Sequence, residues 1–277
     1  MTRALSILSG AFGRVALLDM DTSLVDHAHH HCHVIMKASG PDQDFTVEGQ
    51  AYPVRDDTAV AVNTWQEHEY LHKAGPERTL FLAMYIEPGW LAQADRSFAT
   101  CGSPGFFAQP SLRLSPEVRR LRNRLVHQLA FDPAGNTADI EDRILDLTLK
   151  LVHRFSNWRA KPGEGRGPQD FRIRRALRNM REQVGERLDL DRVAAASGLS
   201  RPHFNHLFRR CTGVSPAVYG NALRVEAAVE ALRHAEQEIG AISDELGFSA
   251  QSNFTRFFQQ HTGTSPNQFR RAMACLA

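Results

Sequence analysis

Over the first ninety residues, apolar positions fall in short β-branched or alternating runs. These are RVALLDM (14–20), HCHVIMKAS (31–39), DFTVEG (44–49), AYPVR (51–55), TAVAVNT (58–64) and RTLFLAMYI (78–86). Gly, Pro, Asp and Asn separate them, and short strands so closely spaced predict a β-sandwich or jelly roll. Beyond Pro88 the apolar period lengthens to that of a helix. Val118, Leu121, Leu125 and Leu129 form one stripe, opened by Ser115 as cap and Pro116 as first-turn proline. Ile140, Ile144, Leu147, Leu151 and Phe155 form a second, opened at Thr137. Two antiparallel amphipathic helices in this position either close the core of the β-domain or offer a dimer seam.

The last eighty residues hold a degenerate repeat. GLSRPHFNHLFRRCTGVSPAVY begins at Gly198, and GFSAQSNFTRFFQQHTGTSPNQF begins at Gly247. From the first phenylalanine onward they align at an offset of 50: Phe204 with Phe254, Phe208 with Phe258, Gly213 with Gly263, Ser215 with Ser265. In each copy a short apolar-periodic run ends at a glycine, Ser200 or Ser249 stands where a cap is wanted, and a new helix starts. Two copies of such a unit predict two helix-turn-helix modules. One stripe of each second helix is apolar: Phe204, Leu207, Phe208 and Cys211, matched by Phe254, Phe257, Phe258 and His261. The opposite stripe is polar and cationic. It holds Arg201, Asn205, His206 and Arg209 in the first copy, and Gln251, Ser252, Asn253, Thr255, Arg256 and Gln259 in the second. Arg, Asn and Gln make paired hydrogen bonds to base edges in a major groove. Two such faces suit successive grooves about 34 Å apart on double-stranded DNA.

Between the halves, residues 159–170 (RAKPGEGRGPQD) combine three Gly, two Pro and mixed charge, a composition that cannot bury a core. The expected division is therefore 1–158, a linker over 159–170, and 171–277.

The segments LDLDRVAAASGLS, FNHLFRRCTGVSP, ALRVEAAVEAL and EIGAISDELGFSAQSNFTRFFQQHTGTSPNQFRR resemble the DNA-binding domain of the AraC/XylS transcription regulators. Both Thr-Gly-x-Ser-Pro turns carry that likeness; Pro202 and His206 depart from the family's usual first recognition helix. The resemblance implies an α+β chain. A cupin-like β-barrel or jelly roll with two helices would bind an effector and dimerise. Two helix-turn-helix modules would follow, joined by one long helix at about Pro216 to Ala235. It further implies double-stranded DNA and a small-molecule effector as partners, RNA polymerase as a candidate partner, a homodimer, and no enzymatic activity.

Charge agrees with this layout. Net charge is +2, but residues 1–158 hold 15 Lys/Arg against 19 Asp/Glu, and residues 159–277 hold 18 against 12. A basic second half fits phosphate contact at one end of the molecule. Cys32, Cys101, Cys211 and Cys275 are scattered without metal-ligand spacing, so a reducing compartment is expected and disulfides are not. The N-terminal apolar run is broken by Gly10, Gly13 and Arg14, and no signal or membrane span is convincing. A cytoplasmic protein with no membrane partner is expected.

Seven of the thirteen histidines lie between residues 27 and 72. If residues 25–36 form one strand, His27, His29, His31 and His33 share a face and His30 takes the other. His27, His29, His33 and His68 match a cupin-type metal arrangement, with His33 replacing the usual Glu. Neutral imidazoles suit a divalent transition metal: Zn, Ni, Cu or Fe. The competing expectations are a pocket for an organic effector without metal, with Phe81, Ala83 and Tyr85 or the opposite set of 78–86 lining the interior and Trp65 and Glu67 near the rim, and a histidine-rich exposed edge. The alternative function is a cupin-type metalloenzyme with an appended DNA-binding module. Outside the histidines, no nucleophile, phosphate loop or dinucleotide fingerprint supports catalysis.

Overall fold

A computed structural model describes residues 2–73, 77–103, 105–133, 135–157, 170–185, 188–234 and 236–275. The linker expected over 159–170 lies outside the described residues, apart from Asp170.

The N-terminal half builds two sheets. Its strands are β1 (Arg3–Gly10), β2 (Gly13–Met20), β3 (Leu24–His27), β4 (Cys32–Ser39), β5 (Gln43–Val47), β6 (Gln50–Val54), β7 (Thr58–Val62), β8 (His68–Tyr70) and β9 (Thr79–Ile86). A short helix α1 (Pro88–Ala94), strand β10 (Ser111–Arg113), and helices α2 (Pro116–Phe131) and α3 (Thr137–Phe155) complete it. The C-terminal half holds α4 (Phe171–Glu182), α5 (Leu190–Ala196), α6 (Arg201–Thr212), α7 (Pro216–Leu232), α8 (Ile239–Glu245), α9 (Gln251–Thr262), α10 (Pro266–Ala272) and strand β11 (Met273–Cys275). The seven-stranded sheet runs β10-β7-β4-β9-β2-β1-β11, and the four-stranded sheet runs β3-β8-β5-β6. All pairings are antiparallel except β1 with β11, which ties the end of the chain to its beginning.

The N-terminal apolar run is strand β1, which ends at Gly10. Gly10 and Gly13 turn it into the β1–β2 hairpin, and Gly13 takes φ +106, where a Cβ would overlap the Tyr85 carbonyl oxygen. The single strand expected over 25–36 is interrupted: β3 ends at His27, residues 28–31 leave the ladder, and β4 starts at Cys32.

Side chains alternate across the large sheet. Leu17, Val34, Leu82 and Met84 join one apolar cluster with Val118, Leu125, Ile140, Ile144, Leu147 and Leu151 of α2 and α3. Both helical stripes thus close the core of the β-domain. Ala16, Leu18, Ile35, Phe81 and Ala83 fall in a second cluster with Phe45 and Tyr70 of the small sheet. Phe254, Phe258 and Phe269 of the C-terminal half belong to this same cluster, so the second helical module rests on the β-domain. A third cluster surrounds Phe204, Phe208 and Tyr219 and takes in Ala28, with Trp65 packed against it.

The joining helix α7 ends at Leu232, short of the expected Ala235. Ser200 caps α6 without a side-chain hydrogen bond. The cap of α9 is Ala250 rather than Ser249, whose hydroxyl instead accepts from Asn253 Nδ2 at 2.9 Å.

Candidate functional site

The two repeat copies adopt the same local geometry. Gly198 and Gly247, at φ +71 and +68, make the turns before α6 and α9. Gly213 and Gly263, at φ +85 and +80, close those helices by donating to Arg209 O at 2.8 Å and Gln259 O at 2.9 Å. The Thr212 and Thr262 hydroxyls donate back to Phe208 O and Phe258 O, and Ser215 and Ser265 cap the next helices. Phe204, Phe208, Phe254 and Phe258 are buried, Phe257 is half-buried, and both polar stripes turn outward. On α6, Asn205, His206 and Arg209 are exposed and Arg201 is half-buried. Arg201 Nε donates to Asn205 Oδ1 at 3.3 Å, and its guanidinium pairs with Asp191 at 3.2 Å. On α9, Gln251, Ser252, Asn253 and Arg256 are exposed. Gln251, Ser252, Thr255, Arg256 and Gln259 line one shallow open concavity.

The second cluster is imidazole. His27 at the end of β3 lies opposite His68 at the start of β8, and His33 sits on β4 of the other sheet. His29 reaches the same point from the linking segment. Its Nε2 lies 3.4 Å from His33 Nδ1, which lies 3.4 Å from His68 Nε2. Ligand atoms of His27, His29 and His68 fall within 4.8 Å of one another. Burial pushes the His27, His29 and His33 imidazoles well below the usual histidine range, and their mutual repulsion adds to the shift. Burial pushes His68 down to about 4. All four are therefore neutral at pH 7. His31 adjoins this cluster, its ring edge-on to His29 at 5.8 Å and its carbonyl oxygen 3.2 Å from His29 Nδ1, but its own nitrogens face elsewhere. Its ring nitrogens point to Glu87 and Glu226, each at 3.8 Å, and His30 pairs with Glu87 at 3.3 Å.

The four effector candidates do not converge. Phe81 is a core residue, 1 % exposed, with Phe45 and Tyr70 edge-on at 5.4 Å. Tyr85 stacks on His33 at 4.1 Å and lines a cavity of about 40 Å³ at the seam between the halves. Trp65, at φ +59, stacks on Tyr219 of α7 at 4.6 Å beside a wider cleft. Glu67 meets Arg209 of α6 at 3.4 Å.

Several seam residues carried no sequence signal. Arg14 lies over the Tyr85 ring at 4.3 Å and 3.7 Å from Glu226 of α7, and His261 of α9 lines the same small cavity. Cys32 and Cys101, 69 residues apart, are both buried with their Sγ atoms 3.2 Å apart. Only the tertiary fold brings them together. No described helix is long and apolar enough to cross a membrane.

A helix-turn-helix domain model matches residues 193–272. The regulatory protein PocR of Salmonella typhimurium is 32% identical over 156 residues, covering 53% of this chain and 52% of PocR. The probable transcription factor PqrA of Proteus vulgaris is 33% identical over 88 residues, 32% of this chain and 72% of PqrA. In two further relatives, an uncharacterized regulator of Haemophilus influenzae and the MmsAB operon regulatory protein of Pseudomonas aeruginosa, the match covers 36% and 30% of their length. The chain thus spans about half or less of several of the curated relatives it matches. In fold, it is similar to apo ToxT from Vibrio cholerae: TM-score 0.58 and 10% identity, over 94% of this chain and 97% of ToxT. A structure of ToxT with an unsaturated fatty acid bound aligns over 98% of this chain and 94% of ToxT, at TM-score 0.52 and 10% identity.

Proposed function

This chain belongs to the AraC/XylS family of helix-turn-helix regulators, and from that premise we propose that it is a sequence-specific, DNA-binding regulator of transcription. The observation that supports this most directly is the duplicated turn-and-cap geometry that leaves one polar stripe exposed on α6 and one on α9. Arg256, Gln251 and Asn253 have the donor and acceptor patterns that read guanine and adenine edges. Arg209 suits phosphate. The N-terminal β-domain is read as the sensing and dimerising part, facing a small molecule at its seam with the helical half, where Tyr85 and Trp65 line openings. The fatty acid held by ToxT supports an apolar effector class. A cytoplasmic, non-enzymatic homodimer acting beside RNA polymerase completes this reading, with 1–158 and 171–277 as the two domains.

The test begins with DNA selected from a random pool by the full-length protein. On the selected sequence, Arg256→Ala should weaken binding by about 1–3 kcal/mol, with the loss confined to one or two base positions. Unchanged affinity and specificity would sink the assigned role of α9.

A further inference from the structure

We propose that His27, His29, His33 and His68 bind one divalent transition-metal ion, zinc by preference, and that the ion joins the two sheets of the β-domain. The reasoning starts from protons. A backbone carbonyl only accepts, so each imidazole facing one must donate. His27 Nδ1 lies 2.8 Å from Val25 O, His29 Nδ1 3.2 Å from His31 O, and His68 Nδ1 2.9 Å from Gln66 O. Each of these neutral rings therefore carries its proton on Nδ1 and presents a bare Nε2 lone pair to the cluster. His33 presents Nδ1 to two of those lone pairs at once. Ligand atoms of His27, His29 and His68 lie within 4.8 Å of one another, His33 Nδ1 meets two of these rings at 3.4 Å, and no carboxylate stands among them. A cation resolves that arrangement. The carbonyls hold these three rings as outer partners hold metal-binding histidines, fixing tautomer and aim, while the outer Nε2 of His33 is buried without a hydrogen-bond partner.

The distances agree. With metal–nitrogen bonds of about 2.0–2.1 Å, the edge of a tetrahedron is about 3.3 Å. The His29–His33 and His33–His68 nitrogen pairs are both at 3.4 Å, long for a hydrogen bond and right for such an edge. A four-nitrogen set that closes tetrahedrally on the ion would favour Zn over Cu(II) or Ni(II), which prefer tetragonal sites. His27 and His68 come from the small sheet and His33 from the large one, so the ion would act as a cross-link. A second group, His30, His31 and Glu87, also has its ligand atoms close together. There the Glu87 carboxylate lies beside both imidazoles and His30 is half-exposed, so that group already has its own counter-charge.

The test uses full-length protein stripped with a chelator, dialysed, and titrated with zinc chloride against a chromophoric competitor; every readout is independent of DNA binding. One equivalent per chain should bind and raise the melting temperature. Co(II) in its place should give the intense visible bands of a four-coordinate site. His29→Ala and His68→Ala should lose the ion, and His30→Ala should keep it. If the alanine variants fail to fold, His29→Cys replaces them: retained Co(II) binding with a new thiolate charge-transfer band identifies position 29 as a ligand. The proposal is overturned if the stripped wild type takes up no zinc and shows no thermal shift. It is equally overturned if Co(II) gives only weak six-coordinate bands, or if His30→Ala loses the ion while His29→Ala retains it.

Discussion

Arg209 sits on the outward stripe of α6 with its side chain 65 % exposed, yet its guanidinium is already engaged by Glu67 of the β-domain at 3.4 Å. A half-exposed ion pair of this kind contributes only about 0.2–1 kcal/mol, because water competes for both partners. Glu67 therefore acts as a weak competitor for whatever Arg209 meets on DNA. Glu67→Gln should raise DNA affinity up to about fivefold at low salt, equally for all sequences, since a phosphate contact reads no base. Arg209→Ala should lower affinity for all sequences and flatten the salt slope. An affinity unmoved by Glu67→Gln in a salt titration would show that the pair does not restrain Arg209. Among the histidines, spacing alone was enough to group His27, His29, His33 and His68, although the strand assumed for them is broken at 28–31. The grouping survives because His27 and His68 face each other across β3 and β8, while the loop carries His29 back to the same point. Phe81 differs from Tyr85 in depth. It shares the inner face of β9 with Tyr85, but it lies mid-strand among aromatics, and Tyr85 near the end of the strand reaches the cavity.

Elements with a strong period were legible, and those stabilised mainly by partners were not. The stripes of α2 and α3 emerge at the expected positions because a buried face demands apolar residues every third or fourth place. Strands β3, β8, β10 and β11 are three or four residues long, too short to show an alternation, and depend on neighbours for their ladders. Helix α4 was missed for its crowd of arginines; its buried side is only Ile173, Ala176, Leu177 and Met180. For α3 the structure also decides between the two uses of its stripe. Leu147 and Leu151 are 0 % exposed within a single chain, packed with the large sheet. Leu151→Asp would bury an unpaired carboxylate at a cost of about 3–5 kcal/mol, much of the stability of an ordinary domain. The expected outcome is unfolding of the β-domain, seen as lost strand signal in circular dichroism together with aggregation in sedimentation. A folded variant that simply became monomeric would mean that α3 is a dimer seam after all.

At the scale of the whole molecule, the β-domain touches both helical modules. Trp65 stacks on Tyr219, Glu67 meets Arg209, and Ala28 enters the core of the first module. Phe258 and Phe269 of the second module share a cluster with Ile7, Leu18 and Met20, and β11 pairs with β1. The expected domain boundary at 159–170 therefore separates sequence composition more cleanly than it separates buried surface. The first module nevertheless keeps a phenylalanine core of its own, and both modules keep glycine-closed turns. A fragment beginning at Asp170 should thus fold as a helical domain. Asp170 must be kept, because its carboxylate accepts from Arg172 N at 2.9 Å as the cap of α4, and hydrogen bonds from Arg172 hold its pKa down to about 2. Starting one residue later removes that cap and should lower the helical signal of the fragment. On the proposed homodimer reading, the fragment should bind selected DNA more weakly than the full chain, since two tethered copies gain effective concentration that the fragment lacks. It should also melt at a lower temperature, because the apolar face that Phe269 presents to the sheet is left open to water. Circular dichroism melts and a DNA titration of fragment and full chain side by side check both points. An insoluble or helix-free fragment would place the true boundary elsewhere and make the β-domain part of the folding unit of the second module.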